Sequence, residues 1–200
     1  IDKSDWVFLA VTPVVGNKIL EQLKFNKRKL IISFISTINL TQLKKITGLK
    51  TNIVRAIPLP PIALCKGPVP IYPPNKKVKK FFDKLGSTVE INNEKLSLNF
   101  WTTSAMMAPF YEILYFLSDW LVKKGIKKQN AQKYISSLFL ALSEDAFKHK
   151  KNLKKLVKES QTPGGLNEQA VKDLRKAGFY RLLEKTSNRI IKRLNKSQSN

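Results

Sequence analysis

Two hundred residues with 42% hydrophobic content are enough to bury a core in one or two domains. A single cysteine (Cys65) and a single histidine (His149, set among Lys148, Lys150 and Lys151) exclude a disulfide framework, a Cys/His zinc cluster and any evident nucleophile–histidine arrangement. The net charge of +23 raises nucleic acid or an anionic membrane as partners, yet lysine supplies 31 of the 37 basic residues and arginine forks are scarce, so a solvated lysine coat without a nucleic-acid partner is the better account.

In chain order, Trp6 to Val11 is a continuous apolar run bounded by Asp5 and Thr12-Pro13, which predicts a strand buried on both faces. Val15 to Lys24 carries Ile19, Leu20 and Leu23 at helical spacing. Leu30 to Ile35 predicts a second buried strand, Leu40 to Ile46 a helix ending at Gly48, and Ile53 to Ile57 a third strand closed by Pro58. This alternation of strand and helix predicts a parallel sheet with right-handed crossovers. Ligands of such sheets sit at the carboxyl ends of the strands, here Thr12-Pro13, Ile35-Ser36 and Pro58-Leu59-Pro60. A proline-rich stretch follows, in which Val69 to Tyr72 can pair at a sheet edge. Val78 to Leu85 reads as a short helix and Thr88 to Ile91 as another strand.

The period changes near residue 96, where we expect a domain boundary: residues 1–95 as part of one domain and 96–200 as a second, helical one. Leu98 to Val122 is apolar on nearly every side. A membrane span is the rival reading, but Glu112 and Asp119 lie within the run, and an acid at a span centre costs about 2.5–3.5 kcal/mol on insertion scales. A helix of this kind belongs between protein surfaces, kinked at Pro109 and covered across a dimer interface. Ala131 to Ala146, Leu153 to Val157 and Phe179 to Leu194 supply three further helical stripes.

The segment Ser160-Gln161-Thr162-Pro163-Gly164-Gly165-Leu166-Asn167 holds the only adjacent pair among the eight glycines. Pro163 stops one helix and Ala170 to Leu174 return to helical spacing, so the turn delivers a helix N-terminus, a seat for a carboxylate or phosphate. A plain linker between two helices, with Asn167 as an ordinary N-cap, is the alternative.

Taken together, several stretches resemble the pyrroline-5-carboxylate reductase family, enzymes of the last step of proline synthesis. Val7 to Pro13 is similar to that family's strand ending in Ala-Val-Lys-Pro, and Val54-Arg55-Ala56-Ile57-Pro58 to its Val-Arg-Ala-Met-Pro. Pro109-Phe110-Tyr111 stands where the family has Pro-Ala-Tyr in its first dimerisation helix. Thr162-Pro163-Gly164-Gly165 resembles its Ser-Pro-Gly-Gly signature, with Gly178-Phe179 beyond. The order holds over nearly the whole chain.

The resemblance implies an α/β plus all-α fold: a partial Rossmann-type parallel sheet followed by a helical dimerisation domain. It implies an NAD(P)H-dependent reductase of a small cyclic imino acid, working as a homodimer or higher homo-oligomer with neither nucleic acid nor membrane as partner. The single cysteine and the lack of a visible secretory signal make a reducing cytoplasm the expected location. Ala10, Val11, Thr12 and Pro13 would border the adenine-side ribose and phosphates of NAD(P)H, with Ile35 and Ser36 nearer the nicotinamide. Thr162, Gly164, Gly165, Leu166 and Asn167 would hold the imino acid's carboxylate, while the cofactor carries the hydride. No catalytic side chain and no metal is implied, because hydride transfer to a protonated imine needs positioning more than a nucleophile.

Three departures mark a divergent member: Asn167 in place of a threonine, Ile57-Pro58-Leu59 in place of Met-Pro-Asn, and Ala105 to Ala108 in place of Ser-Gly-Ser-Gly. A glycine-rich pyrophosphate fingerprint is absent from these residues. The chain opens at Ile1 and runs directly into a strand, so we expect on the order of 60 preceding residues to carry the fingerprint, and the chain by itself to be inactive. A related reductase of another imino or keto acid, and a non-catalytic basic helical dimer or anion-binding module, are the competing functions.

Overall fold

Five strands form one sheet in the order β1-β2-β3-β4-β5: β1 (Trp6–Leu9), β2 (Leu30–Ser33), β3 (Asn52–Ala56), β4 (Pro68–Tyr72) and β5 (Ser87–Glu90). The structure is a computed structural model, and it describes residues 1, 3–12, 19–20, 22–25, 29–48, 51–148 and 152–199. Pro13, His149 and half of the helix expected between Val15 and Lys24 lie outside the described residues; of its described residues, Ile19, Leu20 and Gln22 are helical while Leu23 and Lys24 are not.

β1, β2 and β3 run parallel, with Val7, Ile31 and Ile53 in register. Alternation then divides their side chains between two faces. On one face Ile31 and Ile53 join Leu9, Leu20, Ile35, Ile38 and Leu43 in a core. On the other, Ile32, Val54 and Ala56 pack with Val69, Ile71, Val78 and Phe82. Burial of β1, one of the two edge strands among the described residues, is less complete than expected: Phe8 is 41% exposed.

The sheet also departs from an all-parallel one at a single junction. β4 pairs with β3 antiparallel and with β5 parallel, so it lies inside the sheet and not at its edge. Its prolines explain how. The Pro70 carbonyl accepts from the Ile57 amide, and the Ile71 carbonyl accepts from Ile91 on the opposite side. Pro68 and Pro70 therefore turn their missing donors towards β3, where the pairing spans only Ile71 and Tyr72, and leave Val69 and Ile71 facing β5.

Helix α1 (Leu40–Thr47) follows β2 and opens on a reciprocal cap, in which Asn39 accepts from the Gln42 amide and Gln42 accepts from that of Asn39. Helix α2 (Lys76–Phe82) is capped by Asn75. The single kinked helix expected over Leu98–Val122 is in fact two, α3 (Glu94–Ser104) and α4 (Met107–Lys123). A proline ring clashes with the carbonyl four residues back, which for Pro109 is Ala105. The chain breaks there, and Pro109 falls in the first turn of α4, where amides have no intrahelical partner in any case.

Helices α5 (Lys128–Lys148), α6 (Leu153–Glu159), α7 (Leu166–Lys176) and α8 (Phe179–Ser199) complete the chain. By contacts it divides into two compact units, Ile1–Ser104 with Ser187–Asn200, and Ala105–Thr186. In the second unit α4 packs on α5, with the rings of Phe110 and Phe139 edge to face at 6.0 Å and Ala131 and Ile135 buried. Asp119 on α4 is paired with Lys123 at 2.6 Å. Among the described residues, no helix is long and apolar enough to cross a membrane.

Candidate functional site

The carboxyl ends of β1 and β2 lie side by side in the sheet unit, tied by the Phe34 amide donating to the Leu9 carbonyl at 3.1 Å. Ala10 and Thr12 are exposed there, and Val11 is half-buried against the core. Ile35 is 1% exposed, its side chain turned into the core, so this position offers a ligand only its backbone. Ser36 begins the turn into α1 and is half-buried. The structure thus brings Ala10, Val11, Thr12, Ile35 and Ser36 together at one sheet end, the place where open α/β sheets bind ligands.

The Ser36 turn is held by Arg55, which the family-like motif contains without assigning it a role, and by Glu94, which no motif marks. Arg55, on β3, is fully buried, and alternation turns it to the same face as Ile53. Its Nη1 donates to Oε1 of Glu94 at 2.7 Å, and its Nη2 donates to the Ser36 carbonyl at 2.9 Å. The same Glu94 oxygen accepts from the Leu40 amide at 2.7 Å, at the start of α1. The guanidinium also lies 5.5 Å from the centre of the Trp101 ring. Burial pushes Arg55 below its usual pKa, and the charge and hydrogen bond of Glu94 pull it back up. The signal in the sequence was a lone arginine inside the apolar run Ile53 to Ile57, since a charge in a buried strand demands a partner.

Thr162, Gly164, Gly165, Leu166 and Asn167 belong to the helical unit, where they form the turn that opens α7. Gly164 has φ +71°, a conformation that costs a residue with a side chain. A Cβ on Gly165 would come within 3.0 Å of the Thr162 carbonyl oxygen, whose hydrogen bond from the Gly165 amide at 2.8 Å closes the turn. Gly164 is thus favoured by its backbone conformation, and Gly165 by a tight approach that a side chain would have to push apart by a few tenths of an ångström. The Leu166 and Asn167 amides lie in the first turn of α7 and have no intrahelical partner. Asn167 directs its side-chain amide to the Ser160 carbonyl at 2.9 Å, and the Leu166 side chain is 84% exposed.

One amide of the turn is already engaged. Glu168 reaches back to accept from the Gly164 amide at 2.8 Å, and it pairs with Lys172 at 3.0 Å. These two contacts, the amide first, hold its carboxyl below the usual glutamate range. A glutamate three residues after the helix N-cap was the sequence signal for this reach-back. Among the described residues, no group of three or more His, Cys, Asp or Glu side chains is arranged to hold a metal ion.

A mostly parallel sheet with its ligand edge at the strand ends, continued by a helical unit with uncovered apolar faces, is a Rossmann-type fold joined to a helical dimerisation domain. Residues 95–197 match the family model described as pyrroline-5-carboxylate reductase dimerisation. That match spans half of the chain, and the chain belongs to the pyrroline-5-carboxylate reductase family.

Solved structures agree on the fold. The Plasmodium falciparum pyrroline carboxylate reductase with NADP bound superposes with a TM-score of 0.85 at 21% identity, over 96% of this chain and 77% of that one. The 1-pyrroline-5-carboxylate reductase of Streptococcus pyogenes gives 0.85 at 22% identity, over 100% and 78%. The pyrroline-5-carboxylate reductase of Coxiella burnetii gives 0.81 at 22% identity, over 98% and 77%. No curated protein matches the chain significantly.

Proposed function

We propose that the chain is the greater part of an NAD(P)H-dependent reductase acting on the C=N bond of a small cyclic imino acid, as in proline biosynthesis. The observation that carries this reading is the turn at 162–167: two glycines favoured by their geometry open a helix with free amides, inside the stretch matched by the reductase family model. A dimer or higher homo-oligomer in the cytoplasm is part of the same reading. So is a division into residues 1–95, the nucleotide-binding part, and 96–200, the dimerisation and substrate part.

The residues fit a dinucleotide in part. Exposed Ala10 and Thr12, and the backbone at Ile35 and Ser36, suit its ribose, phosphate and nicotinamide portions, while no glycine-rich seat for the pyrophosphate stands among these residues. The NADP of the Plasmodium falciparum structure supports the choice of cofactor class. When bound, the cofactor supplies the hydride. The chain's own task is then positioning. The amides of Leu166 and Asn167 grip the substrate carboxylate and orient the ring, with the positive end of the α7 dipole behind them.

Oxidation of NADH or NADPH by the full-length protein, with pyrroline-5-carboxylate and related cyclic imines, tests the proposal. Turnover of at least one imine is expected, and none with any of them defeats it. Gly165→Val is expected to raise the KM for the imine more than that for the cofactor. An unchanged substrate KM would show that the turn is not the carboxylate seat.

Glu168 favours a second reading. With a glutamate on the Gly164 amide, the turn has an internal anion, as suits a helical module that binds other anions weakly and reduces nothing. Saturable binding of a carboxylate without any nicotinamide oxidation would select it.

A further inference from the structure

We infer that Arg55 and Glu94 are positioning residues that clamp the turn from Ser36 to Leu40 from both ends, and so set the shape of the nicotinamide side of the dinucleotide site. The inference rests on the reading of Ile35 and Ser36 given above. Arg55 reaches the carbonyl of Ser36 at the start of the turn, and Glu94 reaches the amide of Leu40 at its end. A 2.7 Å charged hydrogen bond joins the two side chains. The pair therefore ties β3 and α3 to the backbone of one short loop.

Stability alone is a poor reason for this arrangement. Removing two charges from water costs about as much as their attraction returns, and apolar side chains of similar volume serve as well or better in such places. Arg55 is, moreover, not fully satisfied. Its Nε is buried without a hydrogen-bond partner among the described residues, as are Trp101 Nε1 and Thr102 Oγ1 on α3. A fully buried arginine with a spare donor, in a strand whose other buried residues are all apolar, is a local rule broken at the place where function is expected. What the charges supply, and apolar side chains do not, is direction: each fixes one backbone polar atom of the loop.

The test compares Arg55→Met, Glu94→Met, the double variant R55M/E94M and Arg55→Lys in the full-length protein. Melting temperature, the KM for NADPH, kcat and amide exchange over 36–40 are read on each. Each single Met variant leaves a charge unpaired and is expected to melt lower. The double variant removes both charges and is expected to regain most of the lost melting temperature. Its exchange over 36–40 should stay faster, and its KM for NADPH should stay raised by at least about tenfold (about 1.4 kcal/mol) with kcat little changed.

Arg55→Lys keeps the charge but replaces the guanidinium fork, whose two Nη atoms reach Glu94 and the Ser36 carbonyl separately, by a single ammonium, and is expected to hold its melting temperature better than its KM. Recovery of melting temperature and KM together in the double variant would make the pair merely structural and overturn the inference. If the unaltered protein binds neither dinucleotide, the reading of the site fails first and the inference with it. That case is told apart because the parent protein, not the variants, lacks the binding.

Discussion

The two units treat the same kinds of side chain in opposite ways. In the sheet unit Ile31, Ile32, Val54, Val69, Ile71 and Phe82 are at most 2% exposed, and three separate clusters of apolar residues close on themselves. In the unit from Ala105 to Thr186, only Ser118, Ala131 and Ile135 are buried among the described residues. There Tyr115, Phe116 and Trp120, within one stretch of α4, are 59%, 66% and 57% exposed. Apolar content alone does not separate the two, since α4 is itself mostly apolar, with Glu112, Ser118, Asp119 and Lys123 its only strongly polar residues. The difference lies in where the covering surface comes from. A sheet has a second layer of the same chain to close on, whereas a helix apolar on several sides needs more surface than one hairpin of helices supplies. The second unit has the anatomy of half an interface.

That contrast is open to direct attack. The largest effect is expected from Phe116→Glu with Trp120→Glu. Loss of about 1.5–3 kcal/mol for each ring removed, doubled by two-fold symmetry, should turn a dimer into a monomer in sedimentation equilibrium. A dimer that survives both charges would mean that this face is not the one covered. Next, Phe82→Ala in the closed sheet core should cost about 3–5 kcal/mol in a urea titration. Phe116→Ala measured in a Trp120→Glu background, at a protein concentration where sedimentation shows monomer, should cost less than about 0.5 kcal/mol. Equal costs would erase the distinction between the two units. Asn39→Ala, which removes one half of the cap on α1, is expected to lower stability by about 1 kcal/mol, on the sheet side only.

The smallest effect concerns Glu168→Gln at the opening of α7. The Glu168 carboxyl is held below its ordinary pKa by the Gly164 amide and Lys172, so its stabilisation is present above the unfolded-state value and disappears as pH falls through the folded-state one. The variant should melt slightly below the parent at neutral pH and together with it in acid. A gap that persists in acid would assign the loss to the amide substitution and not to charge.

Much of this was legible in the residues. Strand positions followed from short apolar runs such as Leu30 to Ile35, and the turn at 162–167 from Pro163 and its paired glycines, because these signals act over a few bonds. The break between α3 and α4 was misread as a kink: a proline at 109 forbids the bond to Ala105, but whether a chain then bends or restarts depends on packing at both sides. The interior place of β4 was equally hidden, since Pro68 and Pro70 mark it as an edge until their missing donors are seen to share one side. Arg55 is a charge inside an apolar run, a signal that went unused, while Glu94, its partner from 39 positions further on, had no mark of its own.

The sequence by itself determined the periods, the turn chemistry and the order of motifs, because backbone sterics and side-chain alternation are local properties. Only the tertiary structure decided which carboxylate neutralises Arg55, which end of which loop that pair grips, and which apolar faces find cover within the chain. Those outcomes depend on residues far apart in sequence meeting in space, where the energy of a charge or a ring is set by its surroundings and not by its neighbours along the chain.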